Sequence, residues 1–536
     1  MELPASYQPP SLSGVALVST QYSYDLDRQL TQITRPTGAT ANFSYGSTTG
    51  LLSSITLAGG SNTYTYEANN DRIAKIDSVD GVRTNYSYYG YELQAVAQRK
   101  TATDYLLGKV VRYFDTSHRP YYELIQGNAS ATYYGTTTTY NNDDQPSQIG
   151  YLNLTYSYPS GRISNTSMDT VSDTRTFDAF GNSSGYSAVY TPSGGTASQL
   201  YSYTITRDTL HRIATKSETV QGITNVYAYT YDSVGRLSTV FKNGLAYSSY
   251  SYDSNSNRTS GATGGVPFTA TYDAQDRLLT YNAKTYTYNA NGDRTQVIYP
   301  DATTQDYTWD AIGNVKSVKL QDGRLTVHHL DGENRHVALF VDGVLNRRLL
   351  YSSTDRIVAR VNDTGVLSEV YVHGPRQSVP EYMFKNGYRY RIIVDHLGSV
   401  RLVVRTLDGV IAQRIDYNDL GDIIADTSPG FQPYGFAGGI YLAYGRLIKF
   451  GARIYDPSTG RWLSKDPILF VGGDTNLYGY VANDTVNFID PSGLEGRCSD
   501  DSNCSPLGVT NAPGGGGGGG SRLIEPGAKV YVSPNG

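Results

Sequence analysis

Residues 229–237 read YTYDSVGRL, and this short pattern recurs along much of the chain. Near the start, the second aromatic residue of each copy falls at positions 24, 45 and 66, and in the middle at 231, 252, 272, 288 and 309. Successive copies therefore lie 16 to 21 residues apart. Self-similarity at such a period indicates an array built from one repeated unit.

Each part of the unit has a structural interpretation. The aromatic-x-aromatic pattern has period two, which places both rings on one face of a strand. The Asp that follows is typical of a turn, because its carboxylate accepts backbone N–H groups. Glycine or asparagine three or four positions later suits a positive φ, as at Gly181, Gly235, Gly313 and Asn257. An arginine then tends to close the turn, at positions 28, 72, 236, 258, 277, 294 and 335, and can pair with the Asp of its own or a neighbouring unit.

These units predict β-hairpins of about 20 residues. A single hairpin is unstable alone, so the hairpins must stack into one long antiparallel sheet, and sheets curl because they twist. We therefore predict an all-β fold. The tyrosines are expected to have a structural role, as ladders of rings on the face of the sheet. Sugar binding is the more specific alternative.

Composition excludes several classes of function. Lys plus Arg number 44 against 49 Asp plus Glu, which lacks the basic surface that nucleic acids require. No apolar run is long enough to span a membrane, and the first 20 residues do not resemble a signal peptide. The only cysteines, Cys498 and Cys504, fall near the C-terminus, and the sequence leaves open whether they pair.

Residues 453–494 form a second informative stretch, RIYDPSTGRWLSKDPILFVGGDTNLYGYVANDTVNFIDPSGL. It contains the only Asp-Pro pairs of the chain, beginning at Asp456, Asp466 and Asp490. Proline restricts the residue before it, so each aspartate is expected on a stiff turn. Two such carboxylates, if brought together, can share a proton and cleave an amide.

The aromatic units resemble the YD repeats of Rhs proteins, toxin-complex C components and teneurins. Residues 394–401 (VDHLGSVR) and 432–438 (QPYGFAG) are similar to further elements of that family, and residues 452–494 resemble the Rhs repeat-associated core domain. The resemblance implies that the repeats wind into a hollow shell, or cocoon, and that the core domain folds inward as a plug. It also implies a secreted or cell-surface protein.

In toxin-carrying members of that family, the core domain is an intramolecular aspartic protease that cuts after the D-P-x-G-L element. By resemblance, the catalytic carboxylates map to Asp466 and Asp490, and the scissile bond to Leu494–Glu495. Arg461 is the candidate for orienting or charging the site, with Arg453 nearly as good; either arginine can also be purely structural. The implied partners are the chain's own C-terminal tail or a toxin as enclosed cargo, and a capping or delivery protein.

Two departures from the family pattern affect this prediction. Leu469 replaces the glycine expected after Asp466-Pro467-Ile468, so a turn that needs positive φ is expected to change. Asn483-Asp484-Thr485 replaces the usual N-N-P. Both aspartates remain in place.

Other constellations give weak signals. Asp253-x-Asn255-x-Asn257 imitates the start of a calcium loop but lacks its later ligands, and His328, His329 and His336 lack a metal-site pattern. We predict no metal and no cofactor. The tail, residues 495–536, contains seven consecutive glycines and is too small to form an effector enzyme.

The sequence thus divides into a lead-in (1–20), a repeat shell (21–345), its continuation (346–450), the core domain (451–494) and the tail (495–536). The leading hypothesis is a shell that encapsulates a C-terminal toxin or peptide and cleaves itself after Leu494. The alternative is a non-enzymatic cell-surface protein for adhesion or carbohydrate binding.

Overall fold

The computed structural model describes residues 5–9, 18–128, 133–353, 356–375, 379–442 and 446–498. Within these ranges the chain is almost entirely β-structure, with three short 3₁₀ turns and no α-helix. Accordingly, the described part of the chain holds no helix that is long and apolar enough to cross a membrane.

A main sheet of 39 strands accounts for most of the molecule. Its first strands are β1 (Ser6–Tyr7), β2 (Thr20–Tyr24), β3 (Leu30–Thr34), β4 (Thr40–Tyr45), β5 (Leu52–Leu57), β6 (Gly60–Tyr66), β7 (Ile73–Asp77), β8 (Val82–Tyr89), β9 (Glu92–Lys100), β10 (Tyr105–Phe114), β11 (Pro120–Gly127), β12 (Tyr133–Tyr140) and β13 (Pro146–Ile149). The next are β14 (Leu152–Ser157), β15 (Arg162–Met168), β16 (Val171–Phe177), β17 (Ser183–Tyr190), β18 (Ser198–Arg207), β19 (Ile213–Val220), β20 (Ile223–Tyr231), β21 (Leu237–Lys242), β22 (Leu245–Tyr252), β23 (Arg258–Thr263), β24 (Val266–Tyr272), β25 (Leu278–Tyr281) and β26 (Lys284–Tyr288). The last are β27 (Arg294–Ile298), β28 (Thr304–Trp309), β29 (Val315–Lys319), β30 (Leu325–Leu330), β31 (His336–Val341), β32 (Val344–Tyr351), β33 (Ile357–Val361), β34 (Leu367–Val372), β35 (Tyr382–Lys385), β36 (Tyr388–Val394), β37 (Val400–Arg405), β38 (Ile411–Tyr417) and β39 (Ile423–Asp426).

Every strand of this sheet pairs antiparallel with the next in sequence, so the sheet is one continuous meander. In unit after unit the pairing register shifts at the second aromatic residue, as at Tyr231, Tyr252 and Tyr272. Such a bulge bends its strand and increases the local twist. Because the bulge recurs at the same place in successive hairpins, its effect accumulates and the meander curls.

The turn at residues 232–236 is built as the sequence predicts. Asp232 accepts the amides of Val234 and Arg236 on Oδ1, at 3.1 and 2.9 Å, and the Nε of Arg236 on Oδ2 at 2.7 Å. Gly235 has φ 92°, which favours glycine. Asp273 and Asp331 hold Arg277 and Arg335 in the same way.

The tyrosines connect each hairpin to the one before it. Tyr252 donates its hydroxyl to the carbonyl of Leu237 at 2.6 Å, and the guanidinium of Arg236 lies 4.3 Å from the centre of its ring. Tyr231 and Tyr272 donate likewise to the carbonyls of Ile213 and Arg258. A hydrogen bond of this kind contributes about 1 kcal/mol, so the repeated aromatic position stabilises the array along its length.

Contacts between distant segments show that the meander winds over itself. Bonded pairs far apart in sequence occur in the same order along both segments: Thr37 with Asn291, Tyr64 with Gly332, Tyr151 with Tyr382, Asp173 with Arg391, and Ser248 with Asp419. A later winding therefore lies along an earlier one. The predicted all-β spiral of antiparallel hairpins is confirmed.

Beyond the meander, β40 (Ile440–Leu442), β41 (Leu447–Phe450), β42 (Arg453–Asp456) and β43 (Arg461–Trp462) form a four-stranded sheet. β44 (Phe488–Ile489) pairs with β45 (Arg497–Cys498), and the 3₁₀ turns are Phe436–Gly438, Leu469–Gly472 and Val481–Asn483. The four-stranded sheet spans the predicted boundary at residue 451. We call residues 440–498 the core segment.

The prediction that an arginine closes the repeat turn is wrong for Arg258 and Arg294, which, among the described residues, bond to neither their own nor a neighbouring repeat Asp. Each lies five residues after the first residue of its turn rather than four, and alternate strand residues face opposite sides. Both therefore point at the core segment: Arg258 donates to Gly460 O at 3.1 Å, and Arg294 to Oδ2 of Asp456 at 2.6 Å. In the turn before Arg258, the positive φ falls on Ser256 rather than on Asn257.

Candidate functional site

Asp466 occupies a turn just after β43. Its amide donates to Leu477 O at 3.0 Å, its carbonyl accepts the Leu469 amide at 3.0 Å, and its Oδ1 accepts the Ile468 amide at 2.9 Å. These bonds fix the carboxylate on the Asp-Pro turn, as the sequence predicts. They leave Oδ2 directed at a second segment, β42.

Asp490 occupies a similar turn just after β44. Its Oδ1 accepts the hydroxyl of Ser492 at 2.8 Å and the amide of Leu494 at 3.1 Å. Its backbone carbonyl accepts the Gly493 amide at 3.3 Å. The carboxylate thus organises the four residues that follow it, up to the predicted scissile bond.

Arg453 brings the two aspartates together. Its Nη2 lies 2.8 Å from Oδ2 of Asp466 and 3.2 Å from Oδ2 of Asp490, and its Nε donates to Gly493 O at 2.5 Å. The guanidinium also lies 4.2 Å from the centre of the Trp462 ring. All three charged residues are buried. One cation therefore faces two carboxylates, which favours protonation of one of them.

The environment of Asp466 changes the protonation of its carboxyl group. Burial raises its pKa to about 6, against the opposing effect of the Arg453 guanidinium. The negative charges of Asp490 and Glu495 add to the rise. Near pH 6 this carboxyl group thus exists in both protonation states, which suits a group that exchanges protons with a substrate.

The predicted scissile bond lies beside both carboxylates. Leu494 donates its amide to Asp490, and its carbonyl oxygen and Oδ2 of Asp466 both border the small space beside Gly472. A methyl group built on Gly472 would lie 2.8 Å from Leu494 O and 3.0 Å from that Oδ2. A side chain at 472 would therefore displace one or both of these oxygens.

Arg461 lies outside this cluster. It donates to Asn257 Oδ1 at 3.0 Å, Asp276 O at 2.6 Å and Asn476 Oδ1 at 3.2 Å, and so joins the core segment to the repeat turns. The sequence supported Arg461 and Arg453 almost equally as the arginine of the site, and Arg453 is the one that contacts both aspartates.

Sequence reasoning missed Ser492, whose hydroxyl accepts the amides of Leu494 and Glu495 at 3.1 and 3.3 Å. Its position two residues after an Asp-Pro aspartate is a signal for such a role.

The two departures from the family pattern have distinct local effects. Leu469 adopts φ 54°, so the left-handed conformation persists there without glycine. Asp484 is fully buried, and its oxygens accept the amides of Val486 and Asn487 and the side-chain amide of Asn487. Burial raises the pKa of Asp484 to about 6, against the opposing hydrogen bonds from Asn487.

Residues that weakly suggested a metal site have structural roles in the described part of the chain. Asp253 uses Oδ1 to accept the amides of Asn255 and Asn257, as other repeat turns do. His328 and His336 are buried with their Nδ1 atoms 3.2 Å apart, and burial lowers the pKa of His328 to about 3. No group of three metal-ligating side chains occurs in the described part of the chain.

Comparison with known proteins supports the interpretation of the repeats. The family model "Teneurin YD-shell" matches residues 19–486. Teneurin-3 of Danio rerio is 26% identical over 315 residues, which cover 54% of this chain and 11% of that protein. Salivary gland surface protein 1 of Aedes aegypti is 30% identical over 126 residues, which cover 23% of this chain and 4% of that protein.

Similar solved structures include the TcdB2-TccC3-Cdc42 complex, with a TM-score of 0.47 and 16% identity, covering 91% of this chain and 30% of that one. The chain spans about a tenth of the length of the teneurins it matches. The match of the family model extends from β2 almost to β44 and includes every Tyr-Asp unit of the meander. The chain is therefore a member of the teneurin YD-shell family.

Proposed function

We propose that this YD-shell encloses its own C-terminal segment and that the core segment cleaves the Leu494–Glu495 peptide bond. The observation that carries the proposal is that Leu494 contacts one buried carboxylate and borders the same small space as the other. Asp490 accepts its amide, and Asp466 shares with its carbonyl oxygen the space beside Gly472.

The proposed chemistry gives the two carboxyl groups different roles, with Asp466 as the acid and Asp490 as the base. Neutral Asp466 protonates the carbonyl oxygen of Leu494 while ionised Asp490 removes a proton from a water molecule that attacks the carbonyl carbon. The C–N bond then breaks and the nitrogen of Glu495 takes up a proton. The products are a carboxylate on Leu494 and a new amino terminus at Glu495.

Arg453 is a positioning residue in this scheme. It holds both carboxylates through Nη2 and the carbonyl of Gly493 through Nε, and so fixes the carboxylates relative to the segment to be cut. Such pre-organisation lowers the entropic cost of reaching the reactive geometry.

Enclosure of the tail, or of a toxin in its place, is the second half of the proposal. It is supported by membership of a shell family and by the packing of the core segment against the repeats through Arg258, Arg294 and Arg461. A capping or delivery protein and a location outside the cell or at its surface belong to the same proposal. The name of the Aedes aegypti relative, a surface protein, agrees with that location.

Intact-mass spectrometry of the purified full-length chain tests cleavage. We expect two species, residues 1–494 and 495–536, in the native protein, and one uncut chain in Asp466→Asn and Asp490→Asn. Asp301→Asn changes an exposed turn aspartate of the repeats and should be cut like the native chain. A native chain that stays uncut between pH 5 and pH 7 would contradict the protease proposal. Elution of residues 495–536 apart from the shell on size exclusion would contradict enclosure.

A non-enzymatic role in adhesion or carbohydrate binding is the second candidate. The contacts of Arg453 favour it, because one arginine that pairs with both aspartates can serve simply to tie β42 to two Asp-Pro turns. An uncut chain that binds defined glycans on an array would support this role.

A further inference from the structure

The guanidinium of Arg453 lies over the indole ring of Trp462. We infer that Trp462 is a positioning residue of the proposed site: its ring fixes the orientation of this guanidinium, and thereby the positions of Asp466 and Asp490 relative to the bond to be cut. The inference rests on the cleavage proposed above. It adds a residue that acts on the reaction through Arg453.

The polar partners of Arg453 and its aromatic partner constrain the guanidinium in different ways. Nη2 donates to Oδ2 of Asp490 at 3.2 Å and Nε donates to Gly493 O at 2.5 Å, and these N–H groups lie in the plane of the guanidinium. The guanidinium carbon lies over the Trp462 ring, 4.2 Å from its centre, a distance at which planar groups stack. The hydrogen bonds therefore fix where the nitrogens point, and the ring limits how far the plane can tilt.

Trp462 is itself held in place by the rings around it. The indole is buried, and it meets the rings of Phe450, Tyr455 and Tyr480 with centres 6.0, 5.8 and 5.3 Å apart and planes inclined by 87°, 70° and 71°. These are favourable edge-to-face arrangements. The backbone amide donates to Tyr478 O at 3.1 Å, whereas the buried Nε1 has no hydrogen-bond partner among the described residues. The side chain therefore acts through its aromatic face and not through its N–H group.

The position of Arg453 decides how strongly its charge acts on Asp466. Burial raises the pKa of that carboxyl group, the guanidinium opposes the rise, and the charges of Asp490 and Glu495 add to it. Asp474 is a further charge near the guanidinium. If the guanidinium moves away, its opposing effect weakens and the carboxyl group stays neutral to higher pH. Loss of the indole should therefore slow cleavage and also move its pH profile to higher pH.

The test measures cleavage of the full-length chain between pH 5 and pH 8. We expect Trp462→Leu to slow cleavage about tenfold at pH 6, as the loss of a buried cation–π contact implies, and to move the fall in rate to higher pH. Trp462→Phe keeps an aromatic face and should stay within about threefold of the native rate, with the native pH midpoint. Phe450→Leu is the matched control, because it removes a neighbouring ring of the same cluster and leaves the indole in place. Its pH midpoint should equal that of the native chain.

Two results would overturn the inference. One is a Trp462→Leu chain that is cut at the native rate with the native pH midpoint. The other is a Phe450→Leu chain whose midpoint moves as far as that of Trp462→Leu, which would mean that any loss of packing in the cluster has this effect. Thermal unfolding of each variant, with midpoints within a few degrees of the native chain, separates these results from a loss of folding.

Nuclear magnetic resonance keeps the inference testable apart from cleavage. In the uncut Asp490→Asn chain, the ring current of the indole should place the side-chain protons of Arg453 upfield of their positions after Trp462→Leu is added. Trp462→Phe should give intermediate positions, and it replaces the leucine variant if that variant does not fold. Equal positions in all three chains would refute the inference. Upfield positions without any cleavage of the native chain would refute the protease proposal and leave Trp462 as the residue that orients Arg453.

Discussion

Arg294 and Asp456 form an ion pair between the repeat meander and the core segment, with Nη1 and Oδ2 2.6 Å apart and only 1% and 10% of the two side chains exposed. The aspartate also holds its own turn, since its Oδ1 accepts the Ser458 amide and hydroxyl. A single salt bridge thus joins a strand of the array to the first Asp-Pro turn of the core segment.

Removing one partner of this pair should be costly. Arg294→Met leaves the Asp456 charge buried without its cation, so we expect a loss of about 3–5 kcal/mol in the free energy of unfolding. Asp456→Asn added to that variant should recover part of the loss, because no unpaired charge then remains. Urea denaturation of the single and double variants measures both effects, and a loss below about 1 kcal/mol for Arg294→Met would contradict the assignment.

Cleavage should depend on pH through Asp466. Burial raises the pKa of this carboxyl to about 6, so the neutral form dominates below that pH and is lost above it. We expect the rate to fall about fiftyfold between pH 6 and pH 8, in proportion to the neutral fraction. Glu495→Gln removes a charge that raises this pKa and should move the profile to lower pH, as measured by intact mass over time. A rate independent of pH in this range would exclude Asp466 as the acid.

The conformation of Leu469 predicts a stability difference between two substitutions. At φ 54° a side chain is strained and glycine is not. The chain with Leu469→Gly should therefore be more stable than the chain with Leu469→Ala by about 1 kcal/mol, although glycine is normally the more destabilising of the two. Thermal unfolding of the two variants makes the comparison. Greater stability of the alanine variant would show that residue 469 does not need the left-handed conformation.

Asp484 should make the stability of the protein pH-dependent. Burial raises its pKa to about 6 in the folded chain, above the usual value near 3.8. Its contribution to stability is therefore fully present below pH 3.8 and is lost as the pH rises through 6. Through this residue, the native chain should have a free energy of unfolding that is larger at pH 4 than at pH 8 by on the order of 3 kcal/mol. Asp484→Asn should remove that part of the pH dependence. Equal pH dependence in native and variant chains would contradict this.

The local parts of the fold could be predicted from sequence because each is set within one unit. The aromatic-x-aromatic-Asp pattern specifies a strand, a turn and a return strand, and Asp232, Gly235 and Arg236 occupy the expected places. The bulge at Tyr231 was not predicted, since it depends on pairing with the neighbouring strand. Contacts between windings, such as Thr37 with Asn291, join segments that no local pattern connects.

In the candidate site too, local features could be predicted from the sequence and long-range packing could not. Asp466 and Asp490 could be proposed from resemblance, and their Asp-Pro turns follow from local chemistry. Which arginine faces them could not be predicted, because Arg453 and Arg461 each begin one of the two neighbouring strands β42 and β43, and no local pattern says which of the two points at the aspartates. Only the packing of β42 against residues 490–494 places Arg453 between the carboxylates.

The ordered contacts between windings restrict how this protein can change in length. Each hairpin is a complete unit, so adding or deleting one within the meander keeps all neighbouring strand pairs intact. It would nevertheless shift every later hairpin by one place relative to the winding beneath it, and pairs such as Asp173–Arg391 and Ser248–Asp419 would no longer meet. The number of hairpins between such partners is therefore fixed by long-range packing, whereas insertions within a single hairpin turn leave that count unchanged. Variation in length among close homologues should accordingly concentrate in individual turns and at the two ends of the array.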